Sequence, residues 1–136
     1  MARLGKSLRY LSEAELIAIN EELVSKYGGL HGIRDINFVR LAIGRGQMSV
    51  GLADAYQTVF EKAAALFHSI INNHPFFDGN KRTSLFSAVL FLEYNGWQVK
   101  FTREEGVRFT LQAHNEDWTV EEIAKWFKLH SQKIKR

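Results

Sequence analysis

The 136-residue sequence contains no cysteine. This absence excludes disulfides, thiolate catalysis and thiolate metal sites, and it is compatible with a reducing cytoplasm. No apolar run approaches the roughly 18 residues of a membrane span, and the first seven residues contain no apolar segment of signal-peptide length. We therefore expect a soluble, cytoplasmic protein without a membrane partner, folded as a single domain over residues 1–136 by apolar burial.

Positive charge is only slightly in excess, with a formal net charge of +3 and an isoelectric point near 9.3. A charge of this size weakly favours an acidic partner or substrate. Without a basic stripe it does not indicate direct binding of nucleic acid. Part of the excess lies in the C-terminal tail, which we expect to be a solvated end, at Lys128, Lys133, Lys135 and Arg136.

Helical spacing of apolar residues predicts a compact all-α bundle of about six helices. Capping boxes at residues 12–15, 102–105 and 119–122 predict the starts of the first, fifth and sixth helices. The second helix is expected to begin at Asp35, and the third is expected over residues 55–73. Apolar residues cover nearly every face of the fourth, so we expect that helix to be central and buried all round.

The remaining segments have few regular patterns. Residues 47–54 are expected to form a mobile loop or a short hairpin, and residues 97–101 a short extended segment. The 28–35 and 47–54 segments are either a flap that aligns a target's backbone beside the loop at 74–82 or ordinary connections. Arg34 and Asp35 are expected to pair with each other or to line the mouth of that site. Other expected positions are the core for His68, Trp97, Trp118 and Trp126, and the surface for His114 and His130.

The loop at residues 74–82, HPFFDGNKR, lies between two apolar segments and carries most of the chemistry. Asn80, Lys81 and Arg82 open the fourth helix, whose first amides have no intrahelical partner and attract anions. Gly79 permits a tight turn there, Lys81 and Arg82 supply a point charge and a planar fork, and the amide of Asn80 can donate to a further oxygen. This pattern predicts a phosphate-binding site.

Two further residues, which precede this helix, suit the chemistry of phosphate transfer. Asp78 offers a hard carboxylate of the kind that holds Mg²⁺ together with substrate phosphates and water. His74 can accept the proton of an incoming hydroxyl at neutral pH, with Pro75 stiffening the backbone beside it. Phe76 or Phe77 is expected to pin the loop to the core. Taken singly, each of these residues is more often a turn, cap or surface residue, and only their joint occurrence indicates a site.

The loop sequence resembles the signature of the Fic/Doc family, HPFx(D/E)GNxR. The likeness continues in residues 10–12, 28–35 and 60–68. This resemblance implies an all-helical fold in which the loop between two central helices transfers part of a nucleotide to a protein hydroxyl.

By the same resemblance His74 is the general base, Asp78 the Mg²⁺ ligand, and Gly79, Asn80 and Arg82 the anion site. Phe76 corresponds to the family's core anchor.

Two positions depart from the adenylylating members of the family. Those members have Gly where this sequence has Lys81, and a second Arg where it has Leu85. The Doc branch carries Lys at the first of these positions and consists of protein kinases that bind ATP in the reversed orientation. The resemblance therefore implies transfer of the γ-phosphate of ATP, with Mg²⁺, to a Thr or Ser hydroxyl. It also implies a toxin of a toxin-antitoxin pair, acting on a threonine of translation elongation factor Tu.

A separate antitoxin chain is expected, because the sequence lacks the inhibitory string (S/T)xxxE(G/N) found in many family members. Residues 102–106 come closest and are one residue short. Two alternatives stay open, which are transfer of AMP or another nucleotide, and a catalytically silent protein whose cationic loop grips a partner. The target protein, the antitoxin and the oligomeric state are likewise open.

Overall fold

A computed structural model describes residues 7–51 and 53–135, and within them the chain forms six α-helices and two antiparallel strand pairs. The predicted all-α bundle is confirmed. The first six residues and Arg136, on which part of the sequence analysis depended, lie outside the described residues, as does Leu52. The elements in order are α1 (Glu13–Tyr27), α2 (Ile36–Arg45), β1 (Ser49–Val50), β2 (Ala53–Asp54), α3 (Val59–Asn73), α4 (Asn80–Tyr94), β3 (Trp97–Val99), α5 (Arg103–Asn115), α6 (Val120–Leu129) and β4 (Ser131–Lys133).

Side-chain caps set the start of every described helix except α4. The predicted capping boxes of α1, α5 and α6 are confirmed, and Asp35 caps α2 as predicted. The predicted start of α3 at residue 55 is wrong. Thr58 accepts a hydrogen bond from the Glu61 amide while Glu61 accepts from the Thr58 amide, so this fourth box delays the helix to Val59. No helix in the described part of the chain is long and apolar enough to cross a membrane.

The central helix is α3. The sequence had suggested α4, and that expectation is wrong. It packs against α2, α4 and α6, and ten of its fifteen residues are buried. On α4, by contrast, Phe86 is 48 % exposed. The buried face of α4 is made mainly of small residues, which let it approach α3 closely while larger apolar residues remain on the outer face. These small residues are Thr83, Ser84, Ser87 and Ala88.

The 47–54 segment contains the β1–β2 hairpin, so the hairpin alternative is confirmed. The base of the hairpin lies far from His74. The ammonium of Lys62, near the start of α3, donates to the Gly46 carbonyl at 2.7 Å and lies 3.3 Å from the Asp54 carboxylate. Because a helix rises about 1.5 Å per residue, Lys62 and His74 lie roughly 18 Å apart along α3. The hairpin is therefore anchored at the opposite end of that helix from His74.

The C-terminal segment is not simply a solvated end, which corrects the sequence interpretation. β4 pairs with β3, placing Trp97 opposite Lys133, and the Ile134 amide donates to the Gly96 carbonyl at 2.9 Å. The extended segment predicted near residue 97 thus has a partner that begins directly after α6. The three tryptophans pack against the core but are only half-buried.

Candidate active site

The loop between α3 and α4 is fixed by two backbone turns and one buried ring. His74 ends α3 in the left-handed conformation (φ 50°), and its amide donates to the Ile70 carbonyl at 3.1 Å. Gly79 (φ 78°) makes the second turn before α4. Phe76 is 1 % exposed and Phe77 50 % exposed. Phe76 is therefore the residue that pins the loop to the core.

The side chain of Asn80 closes the loop onto itself. Its Oδ1 accepts from the Phe76 amide at 3.0 Å, and its Nδ2 donates to the Phe76 carbonyl at 2.9 Å. The sequence interpretation gave Asn80 only a ligand role. The structure gives it a structural role as well, and leaves one amide hydrogen for a ligand.

Asn20, on α1, supports the loop from behind and was missed by the sequence analysis. It is 1 % exposed, and its Nδ2 donates to the Asp78 carbonyl at 2.9 Å and to Thr83 Oγ1 at 3.1 Å. A Cβ at Gly79 would lie 3.2 Å from this nitrogen and 3.0 Å from Val24 Cγ2. Only glycine fits at this point without displacing α1. The sequence signal that could have revealed Asn20 is its place as an asparagine on the otherwise apolar face of an amphipathic helix.

The 28–35 segment lies directly against the loop, unlike the 47–54 hairpin. The Leu30 amide donates to Asp78 Oδ2 at 2.6 Å, and the Phe77 amide donates to the Gly32 carbonyl at 3.1 Å. Ile33 pairs with Phe76 as an isolated antiparallel bridge. Of the two segments considered as a flap, this one forms an edge of the site.

Arg34 lines the mouth of the site and does not pair with Asp35. Its Nε donates to the His74 carbonyl at 2.6 Å and its Nη2 to the Asn73 carbonyl at 2.5 Å. The cation thus satisfies carbonyls at the C-terminal end of α3, where the helix dipole is negative. Asp35 instead accepts from the Asn37 amide at 2.9 Å as the cap of α2.

The N-terminus of α4 is open and cationic. Gly79 provides no side-chain cap, and the first helical bond there runs from the Thr83 amide to the Gly79 carbonyl at 2.8 Å. The amides of Asn80, Lys81 and Arg82 therefore have no intrahelical acceptor. Both cations are exposed, and they stand at the end of the helix where the dipole is already positive. This arrangement favours a bound anion.

The loop residues line an open cleft of about 860 Å³ that extends from Arg34 and His74 to Arg82. A second, mainly apolar groove of about 460 Å³ runs between α4 and α5 and shares Lys81 and Arg82 with the cleft. Leu85 lies in this groove. The cleft is thus polar near His74 and continues past Lys81 and Arg82 into the apolar groove.

The environment of His74 favours its neutral form. Burial lowers the pKa of His74, and the nearby His114, Lys81 and Arg34 lower it further by charge repulsion. A neutral imidazole can accept a proton at neutral pH, as a general base must.

His114 is not the partnerless surface residue that the sequence suggested. Its ring centroid lies 5.8 Å from that of His74, and its Nδ1 is buried without a hydrogen-bond partner among the described residues. The expectation of a surface position is also wrong for His130. That residue is half-buried, bonds the Trp126 carbonyl through Nδ1 at 2.8 Å and stacks on the Trp126 ring.

His68 has a structural role, as expected. Its Nδ1 lies 2.8 Å from Arg45 Nη1, and burial followed by this cation lowers the pKa of His68. It lies in the contact between α2 and α3 and does not line the cleft.

Fold and site together define an all-helical protein whose histidine faces a cationic helix N-terminus, an arrangement suited to phosphate chemistry. Residues 10–92 match the model of the Fic/DOC family. The chain is 38 % identical over 120 residues to "Protein kinase doc" of Escherichia phage P1, covering 86 % of this chain and 91 % of that protein. It is 42 % identical over 73 residues to "Toxin Doc" of Mycolicibacterium smegmatis, covering 54 % of this chain and 56 % of that toxin. This chain belongs to the Fic/DOC family and resembles its Doc toxins.

Proposed function

We propose that this protein is a Doc-type kinase that transfers the γ-phosphate of ATP to a Thr or Ser hydroxyl of a target protein. One observation carries the proposal, which is the uncapped N-terminus of α4, with Lys81 and Arg82 on it, opening into the same cleft as a neutral His74. Phosphoryl transfer depends on positioning and on stabilising charge. The cleft supplies donors for the charge and a base for the attacking hydroxyl.

In this mechanism each loop residue has a defined task. His74 accepts the proton of the attacking hydroxyl. The α4 amides, with Lys81 and Arg82, bind the phosphate oxygens and stabilise the charge that spreads over them during transfer. Gly79 lets the phosphate approach these amides closely. Asn80 holds the loop in shape and has one amide hydrogen for a phosphate oxygen.

The donor set suits Mg²⁺ held chiefly by the substrate. No cluster of three or more His, Asp or Glu residues that could hold a metal ion occurs in residues 7–51 and 53–135. Asp78 is exposed at the cleft, and the Leu30 amide fixes its carboxylate through Oδ2. A single carboxylate that completes its coordination with phosphates and water is the common protein environment of Mg²⁺. Asp78 would hold the ion at the cleft, where it would supply charge that neutralises the phosphate oxygens.

Two features support phosphoryl transfer over nucleotidyl transfer. Lys81 places a cation at the entrance of the α4 N-terminus, next to His74. Leu85 is buried and lines the apolar groove, so the chain has no second guanidinium at that position to bind a triphosphate. Both features disfavour the AMP-transfer pose and favour one in which the γ-phosphate meets His74.

The kinase acts in this proposal as the toxin of a toxin-antitoxin pair in the cytoplasm. Its target is a threonine of translation elongation factor Tu, and phosphorylation there stops protein synthesis. A separate antitoxin chain silences it. The Doc toxins and the protein kinase to which the chain is similar support this assignment.

The first experiment compares labels. The purified protein is incubated with elongation factor Tu and either α- or γ-³²P-ATP, beside His74→Ala, Asp78→Asn and the surface control Lys125→Ala. Label from γ-ATP alone, retained in Lys125→Ala and lost in both site variants, is the expected result. Label from α-ATP would indicate a nucleotidyl transferase instead of a kinase. Undiminished transfer by His74→Ala would refute the assignment of His74 as the general base.

A second experiment tests the part played by Lys81. The variant Lys81→Gly restores the residue of the adenylylating members while leaving the amides of α4 in place. If Lys81 sets the orientation of ATP, this variant loses γ-label, and α-label appears on the target. A variant that keeps full γ-transfer would show that Lys81 does not determine the orientation.

A further inference from the structure

His114 forms part of the surroundings of His74 from a distant part of the chain. It lies in the last turn of α5, and the two imidazole rings meet nearly edge to face, at 5.8 Å between centroids and 66° between planes. The backbone of His74 is already fixed by two hydrogen bonds, one from its amide to the Ile70 carbonyl and one from Arg34 Nε to its own carbonyl. Among the described residues, His114 is the one aromatic ring in contact with the ring of His74.

The position of His114 is not explained by packing alone. Its Nδ1 is buried and has no hydrogen-bond partner in the described part of the chain. An unsatisfied buried nitrogen destabilises a fold, whereas an apolar ring of the same size would fill the space without this cost. The imidazole therefore indicates a role for its nitrogens or its charge.

The groups that act on His74 electrostatically from the packed elements are cations or can become cations. They are Lys81 on α4, Arg34 on the 28–35 segment and His114 on α5. This differs from the common arrangement in which a carboxylate orients a catalytic histidine and stabilises its protonated form. Here the contacting group repels a proton on His74.

We propose that His114 is a positioning residue that holds the ring of His74 toward the cleft. The contact also disfavours the protonated form of His74. His74 thereby stays ready to accept a proton under mildly acid conditions. The effect on catalysis rests on the proposed kinase function, whereas the effect on the titration of His74 does not.

The direct test is an NMR titration of ¹³C/¹⁵N-histidine-labelled protein, without ATP or target. The variant His114→Phe keeps a ring in place but carries no charge, and His114→Gln is a polar, neutral second variant if the first does not fold. The pKa of His74 is expected to rise in either variant and to stay unchanged in Asn115→Ala, a control at the neighbouring exposed position. An unchanged His74 titration in the folded His114 variants would overturn the proposal.

A kinetic test follows with γ-³²P-ATP and the target. In His114→Phe the acid limb of kcat/KM is expected to move to higher pH. In His114→Gln, which removes the ring contact, kcat at its plateau is also expected to fall roughly tenfold because the ring of His74 is less well held. A uniform loss of activity with an unmoved acid limb would indicate a merely structural role. If the wild-type protein transfers no label at all, the kinase function fails while the NMR titration still decides the role of His114.

Discussion

The side-chain amide of Asn80 offers the sharpest test of what holds the 74–82 loop in its conformation. Asn80→Ala removes two hydrogen bonds to Phe76, at 3.0 and 2.9 Å. Each contributes about 1 kcal/mol net, and the backbone amide and carbonyl left behind in a partly buried place add a desolvation penalty. The free energy of unfolding should fall by about 2 to 3 kcal/mol. For a domain of this size that corresponds to a drop in Tm of roughly 6 to 12 °C.

The assay is urea unfolding followed by tryptophan fluorescence, with Asn72→Ala as the matched control. Asn72 is exposed on the adjoining helix and makes one hydrogen bond, from Nδ2 to the His68 carbonyl at 3.0 Å. Its replacement should change the unfolding free energy by less than about 0.5 kcal/mol. Asn80→Asp keeps the oxygen that accepts from Phe76 but sets another oxygen against the Phe76 carbonyl, so it should also destabilise the protein.

The reasoning would be refuted if Asn80→Ala unfolded within about 0.5 kcal/mol of the wild-type protein. Such a result would mean that burial of Phe76 alone fixes the loop. Loss of phosphate transfer without loss of stability would instead assign Asn80 wholly to ligand binding.

Three further predictions concern the turn, the hairpin and pH. Gly79→Ala should lower the unfolding free energy by about 2 to 4 kcal/mol, since a left-handed non-glycine residue costs about 1 to 2 kcal/mol and its Cβ would crowd α1; denaturant unfolding at wild-type stability would contradict this. Lys62→Met should cost about 2 to 3 kcal/mol through the lost charged bond to Gly46 and speed proteolysis of the hairpin, while transfer activity persists; parallel loss of activity would show that the hairpin reaches the site. The pKa values of His68 and His74 are lowered in the folded protein from 6.5, so stability should be fully present above about pH 6.5 and be lost as pH falls through their folded pKa values; a Tm independent of pH between 7 and 5 would count against this.

Local sequence patterns predicted what depends on neighbouring residues. A capping box joins residues three apart, so the starts of α1, α5 and α6 could be read directly from the sequence. The box at Thr58 follows the same rule and was available but overlooked, which misplaced the start of α3. The chemistry of the 74–82 loop is equally local, since His74 and Arg82 are only eight residues apart in the sequence.

Burial was harder to predict, because it depends on which elements face one another. The apolar composition of α4 suggested a helix buried all round. The small residues on its inner face allowed α3 to occupy the centre instead, and Phe86 remained exposed. Pairing of the chain end with β3 likewise depends on the distance between two segments that are far apart in sequence.

The sequence by itself determined the helices, the loop with its histidine and cations, and the family. Only the tertiary structure decided the surroundings of that loop: Asn20 supports it across 58 residues of chain, the Leu30 amide binds Asp78 across 48, and His114 meets His74 across 40. The physical reason is range. Capping, turns and helix periodicity act within a few residues, whereas contacts between distant segments arise only when apolar burial has packed the helices together.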